Sequence, residues 1–501
     1  MSRLVAAARL EFRVELRSQI VAVAAAMCAL WTVLLLALPG PAAGTVAPLL
    51  LLLDTATFGA LFIAALYLFE RGEGALASLT VSPLRFGEYL GVKIGLLTGL
   101  SVAAAVPIAL AAATPLGRLW MVLLGVAVIA ALVLALSFLL ALPYDSFTGY
   151  LTVAPLMIAP VLAVPLAVLV GLLDHPLAYL IPSTAAATLI RAGVTGDPLP
   201  YVHIAVAVVF PLLCAGVAVA VARARFARIL AGAGARSVPP RADARTDMPG
   251  QAAGRSRRRG WVRMFAAVDL RSVRMDRLLA IVVAAPVALA LALRLGYPPL
   301  VAYLTRRFGI DVAPYSDLVL ALLVVVHVPI IMGMVASLLL LDDVDERRLQ
   351  VLRVTPITLE RYLTYRGVSS GLAALAGLLV AVPLSGLAET SLVRLLPALV
   401  LAAALAPLVV MCVASFAGDK VRGLALLKLL GGVVMGLASA QWWAPQALLW
   451  PPLLIPAVAV TAAQRAADAD DLGRLTIASA LGLITTVLGT ILLAKRAVHR
   501  L

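Results

Sequence analysis

The chain has 501 residues, of which 63% are hydrophobic and 13% charged, with a formal net charge of +15 and a mean hydropathy of +1.07. An ordinary soluble globular protein is excluded, since its apolar share is close to half. Cys28, Cys214 and Cys412, and His175, His203, His327 and His499, are scattered with no metal-ligand or disulfide spacing, so neither kind of framework is expected.

From the N-terminus, Arg9, Arg13 and Arg17 recur every fourth residue, while Leu10, Phe12, Val14 and Leu16 supply apolar surface. That pattern predicts a helix lying in the membrane interface. The apolar run at 20–38 is too long for a signal-peptide core, and Glu11 and Glu15 precede it, so an uncleaved first span is expected. Runs long enough to cross a bilayer as helices follow at 47–69, 91–113, 119–142, 151–173 and 201–222. The second half gives 278–296, 318–341, 367–388, 395–416, 424–443 and 475–494. The fifth span carries Pro155, Pro160 and Pro165, and the eleventh has Gly431, Gly432 and Gly436, which permit close helix packing. The expected fold is an all-α polytopic membrane protein of about twelve transmembrane helices.

Lys and Arg are retained on the cytoplasmic side of short loops. With the N-terminus inside, the inner segments carry 32 of the 40 basic residues, and 18 against 8 when the long linker is left out. Both termini are therefore expected in the cytoplasm. The positive charge suits anionic lipid headgroups and calls for no nucleic acid.

Two segments 273 positions apart are variants of one another. Glu73, Leu76, Leu79, Val81, Pro83, Tyr89 and Leu90 recur in register as Glu346, Leu349, Leu352, Val354, Pro356, Tyr362 and Leu363. The chain is thus a duplication, with a first six-helix repeat over 1–225 and a second over 261–501. Residues 226–260, with Arg255-Ser-Arg-Arg-Arg259, lack the means to form a core and read as a disordered, Arg-rich cytoplasmic linker. An even number of spans per repeat makes the two repeats parallel.

Lys93, Lys420, Lys428 and Lys495 are the only lysines, and none follows glycine. A phosphate-binding P-loop needs that pair, so the chain is not expected to be an enzyme that hydrolyses ATP. Inside the spans, Asp54 and, 273 positions on, His327 are ionisable groups at matching places. Intramembrane charges usually serve function, so both are candidates for a substrate cavity, with separate packing hydrogen bonds as the equal alternative.

The string Leu68-Phe-Glu-Arg-Gly-Glu-Gly-Ala-Leu-Ala-Ser-Leu-Thr-Val-Ser-Pro-Leu-Arg-Phe-Gly-Glu-Tyr-Leu-Gly-Val-Lys93 resembles the signature of ABC-2-type export permeases. Ala417-Gly-Asp-Lys-Val-Arg-Gly423, with Tyr144-Asp-Ser-Phe-Thr-Gly-Tyr-Leu151 as its first-half counterpart, is similar to a second stretch of that family. The chain looks most like drug or fluoroquinolone export permeases, two of them fused into one. The second copy departs at Asp342-Asp-Val-Asp-Glu-Arg-Arg348 and lacks the lysine.

The resemblance implies a type V exporter-like transmembrane domain in a bacterial plasma membrane. It implies two copies of a separate ABC ATPase subunit, which would hold ATP and Mg, so that this chain itself needs no cofactor. Those subunits would contact short coupling helices in 70–93 and 343–366. Candidate contacts are Glu70, Arg71, Glu73, Leu76, Leu79, Pro83 and Arg85 in the first loop. In the second they are Asp343, Glu346, Arg347, Leu349, Leu352 and Pro356. Leucines three apart make an apolar ridge, and each proline ends its helix. The Leu, Ala and Val lining of the spans suits export of a hydrophobic or amphipathic compound such as a drug, antibiotic or lipid-like molecule. A proton-coupled secondary transporter and, less so, a membrane-embedded transferase are the other readings. Segments 174–200 and 444–474 lie outside, and the resemblance implies short external helices there.

Overall fold

The computed structural model describes residues 3–38, 40–76, 84–235, 277–308, 311–345, 358–443 and 451–500. Every regular element among them is a helix. Among the described residues, eleven helices are long and apolar enough to cross a membrane, and a shorter apolar segment, Leu156–Leu169, sits in α7 at the place of the expected fifth span. The all-α polytopic fold follows.

In the first repeat, α1 (Arg3–Arg17) is the amphipathic helix and α2 (Ile20–Ala37) the first span. The second span is compound: α3 (Gly40–Leu50), a π-helical turn at Leu51–Thr55, then α4 (Ala60–Gly72). Next come α5 (Phe86–Ala111), α6 (Leu119–Ala141), α7 (Phe147–Leu169), α8 (Pro182–Thr195) and α9 (Tyr201–Ala235). Helix α9 runs ten residues past 225 into the stretch assigned to the linker, where Ala and Arg favour helix. The rest of that linker, 236–260, lies outside the described residues.

The second repeat opens with α10 (Arg277–Phe308). Its second span is again compound: α11 (Ser316–Leu320), a π turn at Ala321–Val326, then α12 (His327–Asp345). Helices α13 (Leu359–Ser385), α14 (Leu392–Ala403), α15 (Leu405–Phe416), α16 (Lys420–Trp443), α17 (Pro456–Asp468) and α18 (Leu472–Arg500) complete it. The break between α14 and α15 at Ala404 follows from Pro407, which has no N–H for the Ala403 carbonyl.

Residues Met1–Phe12, Pro48–Ala105 and Thr114–Ala280 form one compact unit, and Arg13–Ala47, Val106–Ala113 and Ile281–Leu501 another. The first span thus groups with the second repeat, where α2 packs on α16. A Cβ on Gly432 would fall 2.2 Å from the Met27 Cε, and one on Gly436 would fall 3.1 Å from Leu30. Those two glycines give the eleventh span the close packing their sequence promised.

In the first unit α6 is the hub, packed against α4, α7, α8 and α9. The segment expected outside, 174–200, folds back as α8, whose Ser183, Thr184 and Ala185–Ala187 are all buried. Helices α6 and α8 cross so closely that a Cβ on Gly125 would meet Ile190 Cγ1 at 2.6 Å and the Ala186 carbonyl oxygen at 3.0 Å. The second unit repeats the device: α17 packs on α14, α16 and α18, with Gly482 of α18 against Ala459. Both inserted helices begin at an Ile-Pro pair, Ile181-Pro182 and Ile455-Pro456, with proline in the first turn where its missing N–H costs nothing.

Gly125→Ala and Gly193→Ala are therefore expected to destabilise by about 1–3 kcal/mol through overpacking. Gly99→Ala, which meets nothing within 4 Å, is expected to be neutral or mildly stabilising. Thermal unfolding in detergent measures both, and equal effects at the three positions would refute the crossing.

Candidate functional site

The repeated loops leave the membrane spans at the ends of α4 and α12 and return at the starts of α5 and α13. Polar side chains there would be costly in lipid unless paired, and they pair. Lys93 of α5 is fully buried, with Nζ 2.6 Å from Glu11 Oε1 of α1 and 2.7 Å from Glu70 Oε1 of α4. The Tyr89 hydroxyl donates to Glu70 Oε2, and the Lys93 ammonium sits 5.2 Å from the Tyr89 ring centroid. Tyr89 and Lys93 are four apart on one helix face, so a single carboxylate, Glu70, gathers both.

The second repeat builds the same clamp. The Tyr362 hydroxyl donates to Asp343 Oδ2, and Arg366 Nη2 lies 3.1 Å from that oxygen. The Arg366 guanidinium is 5.5 Å from the Tyr362 ring centroid. Glu70, Tyr89 and Lys93 plus 273 give Asp343, Tyr362 and Arg366. The lysine that the second copy lacks is replaced by an arginine doing the same task. The shorter acid is matched by the longer base, which keeps the combined reach.

A second tie holds each clamp to the helix pair behind it. Arg71 Nη1 donates to the carbonyls of Leu142 at 2.9 Å and Tyr144 at 3.1 Å, and its Nη2 pairs with Asp145. It thereby serves the open carbonyls after α6. In the second repeat a tie of opposite polarity is made two positions out of that register: Asp342 Oδ1 pairs with Lys420 Nζ at 2.6 Å. The following helices are capped at positions again 273 apart. The Gly149 N–H donates to Ser146 Oγ at 3.1 Å, and the Arg422 N–H to Asp419 Oδ1 at 2.9 Å. Beneath the first clamp, Tyr67, Phe86, Phe138 and Phe226 form an aromatic cluster with centroid distances from 4.8 to 6.5 Å.

Of the residues singled out in the sequence, Glu70, Arg71 and Asp343 turn inward into these clamps. They hold the loop ends. Glu73 and Arg85 are exposed and Leu76 is buried. Leu79, Pro83, Glu346, Arg347, Leu349, Leu352 and Pro356 lie outside the described residues. Asp54 falls within the first π turn and His327 directly after the second. Both are partly buried, each beside the kind of helical irregularity often found at functional positions. Glu11, Tyr89, Lys93, Tyr362 and Arg366 were not among the candidate residues. The shared spacing of acid, tyrosine and base was the signal for four of them. Glu11 had none, because it arrives from α1.

Burial pushes the Glu11 carboxyl above its ordinary range and outweighs the pull of Lys93. A raised folded pKa means the folded protein holds this proton more tightly than the unfolded chain. Stability from it is present below the unfolded value and is lost as pH rises through the folded one.

Residues 2–232 match the family model described as the fluoroquinolones export permease protein family. Residues 269–494 match a second model, described as fluoroquinolones export permease protein Rv2686c-like. The chain is 31% identical over 228 residues to fluoroquinolones export permease protein Rv2687c of Mycobacterium tuberculosis, covering 46% of this chain and 96% of that protein. It is 32% identical over 180 residues to fluoroquinolones export permease protein Rv2686c of the same organism, covering 36% of this chain and 71% of that protein. No solved structure matches it.

Lys93→Arg is expected to be tolerated, since the second repeat already uses arginine there. Lys93→Met leaves two carboxylates facing each other and is expected to cost on the order of 3–5 kcal/mol, read as lost thermal stability and yield. Glu11→Gln is expected to flatten the loss of melting temperature as pH rises above about 4.5. A steeper loss in that variant would contradict the burial argument.

Proposed function

The chain belongs to the fluoroquinolones export permease family, as an ABC-2-type export permease with two fused halves, and from that premise we propose that it is the transmembrane part of an ATP-driven exporter. Two separate ATPase subunits would bind its cytoplasmic face, one at each repeated loop, and hold the ATP and Mg. The cargo would be a hydrophobic or amphipathic compound of the drug class named for the relatives, moved out across a bacterial plasma membrane.

The observation that carries this reading is the duplicated clamp of Glu70–Tyr89–Lys93 and Asp343–Tyr362–Arg366. A loop that transmits force from an ATPase needs stiff ends, or the motion is absorbed in the loop. Each clamp fixes the exit of one span against the entry of the next, on both sides of residues 77–83 and 346–357. Leu79, next on the ridge to the buried Leu76, and Leu349 with Leu352 would then be the contact with the ATPase. The exposed Glu73 and Arg85 would add polar contacts at its rim.

Leu79→Asp is expected to abolish co-purification of the ATPase subunit and cargo-stimulated ATP hydrolysis, while the permease still folds and inserts. Unchanged association would sink the assignment of this loop. Double replacement at Leu349 and Leu352 reports separately on the second.

A further inference from the structure

One large cavity of the second unit is not used by any of the contacts above. It has a volume of about 650 Å³ and lies between α13, the α14–α15 pair and α18. Its wall runs from Glu360 to Leu375 along α13, which at the helical rise is about 22 Å. Volume over length gives a mean cross-section of about 30 Å², the width of one extended hydrocarbon chain. Half of a bilayer with its headgroups is also about 20–22 Å thick. The cavity is therefore as long as one phospholipid and as wide as one of its chains.

Its lining is apolar along most of that length. A Cβ on Gly367 or Gly371 would meet Pro407 at 3.4 Å, so the two glycines let the floor pack closely. The hydroxyls of Thr364 and Thr490 donate to the Glu360 and Thr486 carbonyls of their own helices, both at 2.7 Å, so they make no polar demand on an occupant. The side toward the bilayer is open: Leu372 is 63% exposed and Ile491 47%.

Charge enters at one end only. Glu360 begins α13, and Lys495 lies near the end of α18. These ends are level, because Gly367 opposes Met411 and the Ser415 hydroxyl donates to the Leu493 carbonyl at 2.7 Å. Both charged side chains are exposed, and neither forms an ion pair among the described residues. Arg496, next to Lys495, is engaged with the Phe416 ring at 4.3 Å. This end is the one the basic residues assign to the cytoplasm. The first repeat cannot offer the same face, because Glu360, Thr364, Val368 and Leu372 stand where it has Gly87, Gly91, Gly95 and Gly99.

We propose that this groove holds a zwitterionic glycerophospholipid of the cytoplasmic leaflet, with one acyl chain in the groove. Lys495 takes its phosphate and Glu360 its headgroup ammonium. A net-anionic glycerol headgroup lacks the ammonium and meets the Glu360 carboxylate unfavourably, so the pair of charges selects an amine-bearing lipid. The proposal stands apart from the transport reading, since occupancy needs neither ATP nor cargo.

The test uses the full chain in vesicles that contain phosphatidylethanolamine with a photoactivatable acyl chain, without ATP. A matched phosphatidylglycerol probe is the comparison, and adducts are mapped by mass spectrometry. Adducts from the ethanolamine lipid are expected to concentrate on residues 364–375 and 486–494. Each of Glu360→Gln and Lys495→Gln is expected to lower them about fivefold, the effect of roughly 1 kcal/mol per charge near a membrane surface. Leu372→Trp, which fills the groove and leaves both charges in place, is expected to lower them as well. Equal labelling by the glycerol lipid, or labelling spread evenly over the lipid-facing spans, overturns the proposal. So does displacement of the lipid by an added fluoroquinolone, which would assign the groove to cargo.

Discussion

A charge that leaves water must meet its opposite within a few ångströms, and Lys93 is the place where this chain meets that demand most completely. Its ammonium is fully buried, and two carboxylates from two different helices surround it. Geometry follows from that single requirement. Glu70 can reach both Tyr89 and Lys93 only if α5 presents one particular face to α4, so helix rotation is set along with helix distance. Because Glu11 comes from α1, the interfacial helix is tied into the same point. The aromatic cluster beneath adds dispersion and shape, but it tolerates more than one arrangement. The ion cluster does not, since an unpaired member inside is costly.

The second repeat shows which parts of this arrangement are chemistry and which are history. Acid, tyrosine and base keep their spacing, while Glu becomes Asp and Lys becomes Arg. The tie behind them reverses its polarity, Arg71 with Asp145 against Asp342 with Lys420. That tie is kept in kind, although neither its sign nor its positions are. The two halves also match two different family models. Such halves carry different surfaces, as the glycine face of α5 and the glutamate-bearing face of α13 illustrate.

The spans, the duplication and the polytopic class were legible in the sequence because each rests on a local pattern: apolar runs of bilayer length, and residues recurring at a fixed offset. The π turns were not legible, since one extra residue in a helical turn leaves no compositional trace. The burial of α8 and α17 was hidden for a similar reason. Both are short and Ala-rich, and what buries them is the absence of side chains on partners such as Gly125 and Gly482. At the candidate site the sequence pointed to both loops but gave no sign that Glu70, Arg71 and Asp343 pair with side chains of neighbouring helices. Flanking charges look alike in a string whether they face water or a partner 20 residues away. The departure of the second copy was an apparent loss only, because Arg366 stands where a lysine was sought.

The grouping of α2 with the second repeat sets a condition on how the chain is made. Met27 leaves the ribosome early, yet Gly432, on which it packs, is synthesised some 405 residues later. At about 5–20 residues per second, that interval is roughly 20–80 s. Throughout it the first span must wait in the bilayer with its packing face covered only by lipid or by an insertion chaperone. Joining both halves in one polypeptide guarantees that the awaited helix arrives next to it, in the same membrane and in equal number. Two separate genes would leave that meeting to diffusion.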